Sequence, residues 1–257
     1  MNTLDMFSLK GKSAVITGGA GLLGLSFAQA LADAGANVAL CDFEFERCLS
    51  QSKAVTGTTA IALRADVTDR DSVHSMFETA RSQFGTVDIL VNGAYRHIST
   101  SFEDRGLEDF EAILRVNLTG VFLCCQEAAR LMKGQGKGVI INIGSIYGVV
   151  SADPGIYGDS GLNSPEVYAA SKGGVIQLTR YLAIHLAKYN IRVNTISPGG
   201  IFNNQPEEFL EKYARKSPLS RMARADELKG ALVFLASDAS SYVTGHNLMV
   251  DGGWTAW

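Results

Sequence analysis

What most constrains this chain is an alternation of two patterns. Short runs of β-branched and aliphatic residues are separated by longer segments whose apolar residues recur every three or four positions. The runs are SAVIT at 13–17, NVALCD at 37–42, TTAIALRAD near 58–66, VDILVN at 87–92, GVIINIGS at 138–145, IRVNTIS at 191–197 and HNLMVDGG near the end. Between them lie segments such as LGLSFAQALADAG, DSVHSMFETARSQFG, DFEAILRVNLTGVFLCCQEAARLMK and VYAASKGGVIQLTRYLAIHLAKY. Strands that are apolar throughout need both faces covered, and intervening helices supply that cover. The pattern predicts an α/β fold, a doubly wound seven-stranded parallel sheet with helices on both faces, with ligands at the carboxyl ends of its strands.

A chain of 257 residues suits one large domain or two small ones. No linker-like stretch or fixed-period repeat divides it, and all five prolines lie beyond residue 150, so residues 1–257 read as a single domain. The net charge of -3 and scattered Lys and Arg argue against a nucleic-acid partner, since neutralising phosphates needs clustered cations. A membrane partner is not expected either. The opening MNTLDMFSLKGK lacks an apolar core with a cleavage site, and no run of about 18 apolar residues occurs, which points to the cytoplasm. Cys41, Cys48, Cys124 and Cys125 have no metal-ligand spacing and read as buried, reduced thiols, so no metal is expected.

The stretch TGGAGLLG at 17–24 follows the first strand and opens the first helix. Gly18 and Gly21 there would supply a turn and a close backbone approach, and Gly24 would let helix and strand touch. Such a loop can cradle a pyrophosphate on the helix's positive end, or it can simply pack two elements. The second strand favours the first use. It ends in Asp42, about 20 residues beyond the glycines, where a carboxylate accepts hydrogen bonds from adenosine ribose hydroxyls and repels a 2'-phosphate. That favours NAD over NADP, although Asp42 could also cap the next helix and Arg47 is a nearby cation.

In YAASK, a spacing of four places Tyr168 and Lys172 one helical turn apart on one face. An ammonium beside a phenol favours the phenolate and is expected to lower the tyrosine pKa. Ser145 ends the fifth strand at the same sheet edge as the glycine loop, where its hydroxyl could meet a substrate oxygen. Asn117 falls inside a long helical pattern, where asparagine has poor propensity and needs a reason.

Taken in order, TGGAGLLG, Asp42, Asn117, Ser145, Tyr168 and Lys172 resemble the short-chain dehydrogenase/reductase family from about residue 8 to 252. The resemblance implies a Rossmann fold and an oxidoreductase moving hydride between NAD and an alcohol or ketone carbon. It implies Tyr168 as general acid/base, Ser145 orienting the reacting oxygen, Lys172 on the nicotinamide ribose, and Asn117 supporting a water relay. It further implies cofactor contacts at Leu22 and Leu23 in the loop, at Phe43 beside Asp42, at Asp66 and Val67 near the adenine, and at Asn92 and Ala94 after the fourth strand. Pro198, Gly199 and Ile201 would lie beside the nicotinamide. Asp66 could equally cap a helix.

Three departures stand out. The compact branch of the family usually has glycine where Leu22 stands, and the spacing at Gly21 resembles the extended, sugar-nucleotide-modifying branch, which keeps a dehydratase or epimerase with tightly held NAD as an alternative. A nucleotide-binding regulator without catalysis is a further alternative that the intact Ser, Tyr, Lys and Asn set disfavours. Gly93 and Tyr95 replace an Asn and a Gly of the usual motif. Finally, Ser145 and Tyr168 are 23 residues apart, about twice the common separation, so an insertion lies at 149–167.

That insertion, Tyr95 and the segment 200–222 are expected to form the substrate cavity. Asn203, Asn204, Gln205, Asp153, Asp159 and Asn163 would offer hydrogen bonds, and Arg215, Lys216 and Arg221 cations, suiting a sugar-like small molecule; Phe202, Phe209 and Tyr213 could instead line an apolar cavity. GSIYG, the insertion and SPGGIFNNQPEEFLEKY resemble bacterial oxidoreductases of flagellin modification and sialic-acid-like sugar synthesis. Apolar residues on more than one face of the helices near 107–133 and 166–188, together with the family resemblance, predict self-association as a dimer or tetramer.

Overall fold

The computed structural model describes residues 2–158 and 163–257. Each apolar run becomes a strand: β1 (Ser13–Thr17), β2 (Asn37–Asp42), β3 (Ala60–Arg64), β4 (Ile89–Asn92), β5 (Gly138–Ile143), β6 (Ile191–Pro198) and β7 (Asn247–Val250). They form one parallel sheet in the order β3-β2-β1-β4-β5-β6-β7. The helices are α1 (Gly24–Asp33), α2 (Phe45–Ala54), α3 (Arg70–Phe84), α4 (Leu107–Leu114), α5 (Val121–Gln135), α6 (Glu166–Leu186), α7 (Glu207–Lys216) and α8 (Lys229–Ala236).

Because successive strand residues face opposite sides, each strand divides its apolar residues between two layers. Ala14 and Ile16 of β1 and Val38 and Leu40 of β2 pack with Phe27 and Leu31 of α1 and Leu232 and Leu235 of α8. Val15 and Ala39 between them face the other way, onto Phe77 of α3 and Cys124 and Ala128 of α5. All four cysteines are free and buried. β1 and β4 are neighbours although two strands intervene in sequence, so the chain reverses direction across the sheet there. At such a reversal, loops leave in opposite directions and open a crevice at the carboxyl ends. Thr17 is level with Cys41 on one side and Asn92 on the other, which aligns the loops that line it.

The long helical pattern over 109–133 is interrupted. α4 and α5 are joined by a π-helical turn, Arg115–Gly120, with Asn117 inside it. A third, smaller cluster lies beyond the sheet, where Ile146, Ile156, Phe209, Tyr213, Met222 and Trp254 pack together. Among the described residues, no helix is long and apolar enough to cross a membrane.

Candidate active site

The glycine loop is packed so tightly that side chains are excluded from most of it. Gly18 has φ +75°, and a Cβ there would come within 2.6 Å of the Gly93 carbonyl carbon. One at Gly19 would lie 2.8 Å from Leu40 Cβ, and one at Gly24 would strike the Gly19 carbonyl. Gly21 is the least restricted, with 3.1 Å to the Gly18 oxygen. The cradle therefore rests on Gly18, Gly19 and Gly24, and Leu22, whose side chain lines the cleft at its partly exposed mouth, does not disturb it. Backbone that can approach this closely, opening onto a helix N-terminus, fits a pyrophosphate.

Asp42 ties β2 to this loop: one carboxylate oxygen accepts the Ala20 N–H at 2.9 Å and the other accepts the Glu44 N–H at 3.0 Å. It does not cap α2, whose N-cap position is Glu44. The cleft has two parts. The outer, about 710 Å³, is lined by Asp42, Phe43, Asp66, Val67 and Ala94 among others. The inner, about 290 Å³, is lined by Leu22, Leu23, Gly24, Ser145, Tyr168, Lys172, Pro198, Gly199 and Ile201 among others. Gly18, Gly21, Gly93 and Tyr95 border both. Near the outer end, the Arg64 guanidinium lies 5.6 Å over the Phe43 ring, while Arg47 is 4.0 Å from Glu44.

One alternative role and one expected contact turn out differently. Asp66 lines the outer part but does not cap α3; Asp69 does, and Asp66 Oδ1 accepts from the Thr68 N–H and hydroxyl at 2.8 and 2.7 Å. Asn92 is buried and points inward, donating to Asn142 Oδ1 at 2.8 Å, so Gly93 and Ala94 make the wall in its place. Strand alternation sends the Asn92 side chain to the sheet face covered by α5, where it also meets Cys125.

At the inner end, Ser145 is buried, and its Oγ accepts the Tyr147 N–H at 3.1 Å. Its hydroxyl is also within hydrogen-bond reach of the Tyr168 phenol. Lys172 is 5% exposed, donates from Nζ to the Ile143 carbonyl at 2.7 Å, and lies 5.6 Å from the Tyr168 ring centre. Burial alone lowers its pKa to about 8. Tyr168 moves opposite to the sequence-based expectation. Burial pushes its phenol up to about 12, with the Ser145 hydroxyl working in the other direction. Desolvation of the phenolate dominates because the site that brings the phenol and the lysine together also removes water from both.

Asn117 acquires its reason from the π-turn. Its Oδ1 accepts the Arg96 N–H at 2.7 Å, and its amide donates to the Arg96 carbonyl at 3.1 Å and to Ser171 Oγ at 3.3 Å. It thus holds the loop after β4 against α6.

The polar residues expected around the substrate are only partly turned towards it. Asn203 and Gln205 line the inner cleft, but the Gln205 amide bonds the Ile201 carbonyl and the Asn203 N–H. Asn204 is held at φ +56°. Asp153 pairs with Lys216, and Arg221 with Glu227 at 2.6 Å. Asp153, Arg215 and Lys216 border a separate surface hollow with Trp254 and Trp257. Asn163 bonds the Thr100 carbonyl, and Asp159 lies outside the described residues. Phe209 and Tyr213 are buried in the third cluster, while Phe202 is exposed.

Sequence reasoning missed three residues. His97 sits edge-on to Tyr168, ring centres 6.3 Å apart, and burial lowers its pKa. Arg105, its side chain 3% exposed, pairs at 2.6 Å with Glu166 at the start of α6. Tyr147 joins its hydroxyl to that of Tyr157 at 2.9 Å. No spacing rule marks these residues; only their neighbours do.

The profile of the enoyl-(acyl carrier protein) reductase family matches residues 19–255. A short-chain dehydrogenase from Leptospira borgpetersenii, solved with bound NAD+, is 40% identical with a TM-score of 0.86, covering 99% of this chain and 96% of that one. The chain is a short-chain dehydrogenase/reductase. As a member of that family it is an oxidoreductase acting on CH–OH and C=O carbon with a nicotinamide cofactor. It is also similar to the D-arabinitol 2-dehydrogenase (ribulose-forming) of Scheffersomyces stipitis, 37% identical over all of this chain and 98% of the relative. A gluconate 5-dehydrogenase from Burkholderia cenocepacia, solved with NADP and tartrate, is 33% identical with a TM-score of 0.89 over the whole of both chains. These similarities give no support to the narrower kinship with flagellin-modification and sialic-acid-like sugar oxidoreductases.

Proposed function

We propose that this protein is an NAD-preferring dehydrogenase that interconverts a secondary alcohol and a ketone on a small hydroxyl-rich molecule, a polyol or sugar acid. The observation that carries this reading is the meeting of Ser145, Tyr168 and Lys172 at the inner end of a cleft whose other end is a side-chain-free glycine cradle. The names of the S. stipitis and B. cenocepacia relatives support the substrate class.

The residues divide the work. The loop from Gly18 to Gly24, with Leu22 and Leu23, would hold the pyrophosphate, Asp42 and Phe43 the adenosine ribose, and Asp66, Val67 and Ala94 the adenine side. Lys172, Pro198, Gly199 and Ile201 would hold the nicotinamide end. Bound there, the nicotinamide supplies the hydride donor or acceptor. Ser145, its lone pair engaged by the Tyr147 N–H, donates its proton to the substrate oxygen. Tyr168 gives that oxygen a proton in carbonyl reduction and takes one in alcohol oxidation. Burial holds Tyr168 protonated, which is the state reduction requires; oxidation requires the phenolate, which the Lys172 ammonium, 5.6 Å from the ring centre, would favour. Asn117 fixes the loop that faces them.

Asp42 carries the cofactor preference, because its charge stands where a 2'-phosphate would have to sit. Fluorescence titration should give NADH at least about tenfold tighter binding than NADPH, a difference near 1.4 kcal/mol. Asp42→Ala should reduce that ratio, and equal wild-type affinities would rule the preference out. Tyr168→Phe should lower turnover by roughly 10²–10⁴-fold with NADH affinity unchanged; a variant keeping most of its turnover on polyols and sugar acids would remove Tyr168 from its role.

The segments 149–167 and 200–222 frame the substrate side of this single domain. The protein acts in the cytoplasm, in keeping with its four free thiols. It works as a homo-oligomer, a tetramer, joined through exposed apolar side chains of α5 and α6: Phe122, Tyr181 and Ile184, the last 83% exposed. Light scattering at micromolar concentration giving a monomer mass would overturn that assembly.

A further inference from the structure

We propose that Tyr157, in the insertion, is a positioning residue: through Tyr147 it fixes the hydroxyl of Ser145, so that the docked insertion sets the geometry of the reacting end of the cleft. The inference rests on the dehydrogenase reading above and adds a residue to it.

The connection is continuous in bonds. Directly after Ser145 the chain makes a 3-10 turn, Ile146–Gly148, whose N-cap is Ser145 itself. The Tyr147 N–H in this turn is the donor that occupies Ser145 Oγ. The Tyr147 side chain meets the Tyr157 hydroxyl at 2.9 Å. Burial raises the pKa of both phenols, so both stay protonated and the contact is one neutral hydroxyl donating to another.

Both flanks of this link are packed. A Cβ on Gly148 would lie 2.8 Å from the Lys172 carbonyl carbon and from Ile176 Cδ1, so the turn is wedged on the stretch of α6 that carries Lys172. The Tyr157 ring lies 5.5 Å from Phe209 of α7, in the cluster that also holds Ile146 and Ile156. The turn therefore has no freedom on its α6 side, and its other side is set by Tyr157.

Removing the Tyr157 hydroxyl takes from the half-buried Tyr147 hydroxyl the partner it holds at 2.9 Å. An unpartnered buried hydroxyl seeks water, and the cost of keeping it dry is a strong reason for the ring to turn. Without that anchor the side of the turn away from α6 is no longer held, and the Tyr147 N–H that occupies Ser145 Oγ lies on this turn. The serine then samples rotamers other than the one that presents its proton to the substrate oxygen, and turnover falls while the cofactor cradle, elsewhere in the fold, is untouched.

Tyr157→Phe, Tyr147→Phe and the double variant test this. Three readouts are needed: NADH affinity by fluorescence, backbone amide exchange in the peptide spanning 143–150, and kcat and KM with NAD+ on D-arabinitol, gluconate and related polyols. Tyr157→Phe should leave NADH affinity within about twofold, speed exchange at Tyr147 and Gly148 several-fold, and lower kcat about tenfold with little change in KM. The double variant should lose no more than the worse single variant, since the two hydroxyls act as one link. Unchanged exchange in Tyr157→Phe, unchanged kcat, or losses that multiply in the double variant would each overturn the proposal. If the wild-type protein turns over none of these substrates, the substrate reading fails, and the exchange measurement still decides whether Tyr157 holds the turn. A Tyr157→Phe protein that no longer binds NADH would make the residue structural and likewise overturn the proposal.

Discussion

At the glycine loop backbone meets backbone, with Gly18 against Gly93 and Gly24 against Gly19 at distances that admit no side chain. At the substrate end side chains meet side chains: Tyr157 on Phe209, Tyr213 stacked on Trp254 at 4.5 Å, and the Tyr213 hydroxyl accepting the Gly200 N–H at 2.6 Å. The first region is fixed by what is missing from it. The second is fixed by large groups that other large groups could replace. The cofactor end should thus be intolerant of almost any change, and the substrate end tolerant of conservative ones.

The largest effect tests the intolerant end. Gly24→Ala should cost about 3 kcal/mol, at the upper end for overpacking, because the new methyl meets a carbonyl that belongs to the same loop. Denaturant unfolding should show the loss, and NADH affinity should fall with it; near-wild-type values for both would mean that the loop can open. Lys172→Met comes next and separates function from stability. It should lower turnover at least about 100-fold and raise the melting temperature by about 5 °C near pH 7, because it removes a buried ammonium that has no carboxylate partner among the described residues.

The pH dependence gives that variant a second signature. The Lys172 pKa is about 8 in the folded protein against 10.5 for a free lysine, so between those values the unfolded chain binds more protons. Stability contributed at this site is lowest below about pH 8 and rises towards 10.5. The advantage of Lys172→Met over wild type should therefore shrink across that window, and a constant advantage would show that packing and not charge is responsible. The smallest effect belongs to the tolerant end. Lys216→Ala breaks a surface pair with Asp153 and should change stability by no more than about 0.5 kcal/mol, with NADH binding untouched. A larger loss would mean that this pair, and not the aromatic cluster, docks the insertion.

The same contrast governs what could be read from residues alone. Strand and helix periods reflect faces that repeat, so β1 and β2 emerge with their expected limits, while the edge strands β3 and β7 are shorter than their apolar runs. Gly18 and Gly24 were legible because a backbone that must come close, or turn with positive φ, leaves few residue choices, while Gly19, which the packing restricts more than Gly21, was not singled out. The Tyr168 pKa was misjudged because sequence shows a neighbour four residues away but not how much water is removed. Gln205 lines the inner cleft as expected, whereas Asp153 and Arg221 are paired elsewhere, with Lys216 and Glu227, because a polar side chain can be spent on a neighbouring segment that sequence does not show. Tyr147 and Tyr157 are ten residues apart, and only the docked insertion tells that their hydroxyls meet.

The π-turn at Arg115–Gly120 has an evolutionary meaning. Such a turn is a helix carrying one residue more than its hydrogen-bond ladder needs. Deleting a single residue there would let α4 and α5 join as one regular helix with their buried faces still aligned, whereas the same deletion elsewhere would rotate everything beyond it by about 100°. The fold would survive this loss, but Asn117 would be carried off Arg96 and Ser171. A one-residue deletion here is therefore expected to leave the scaffold standing and to remove the anchor that joins the loop after β4 to α6.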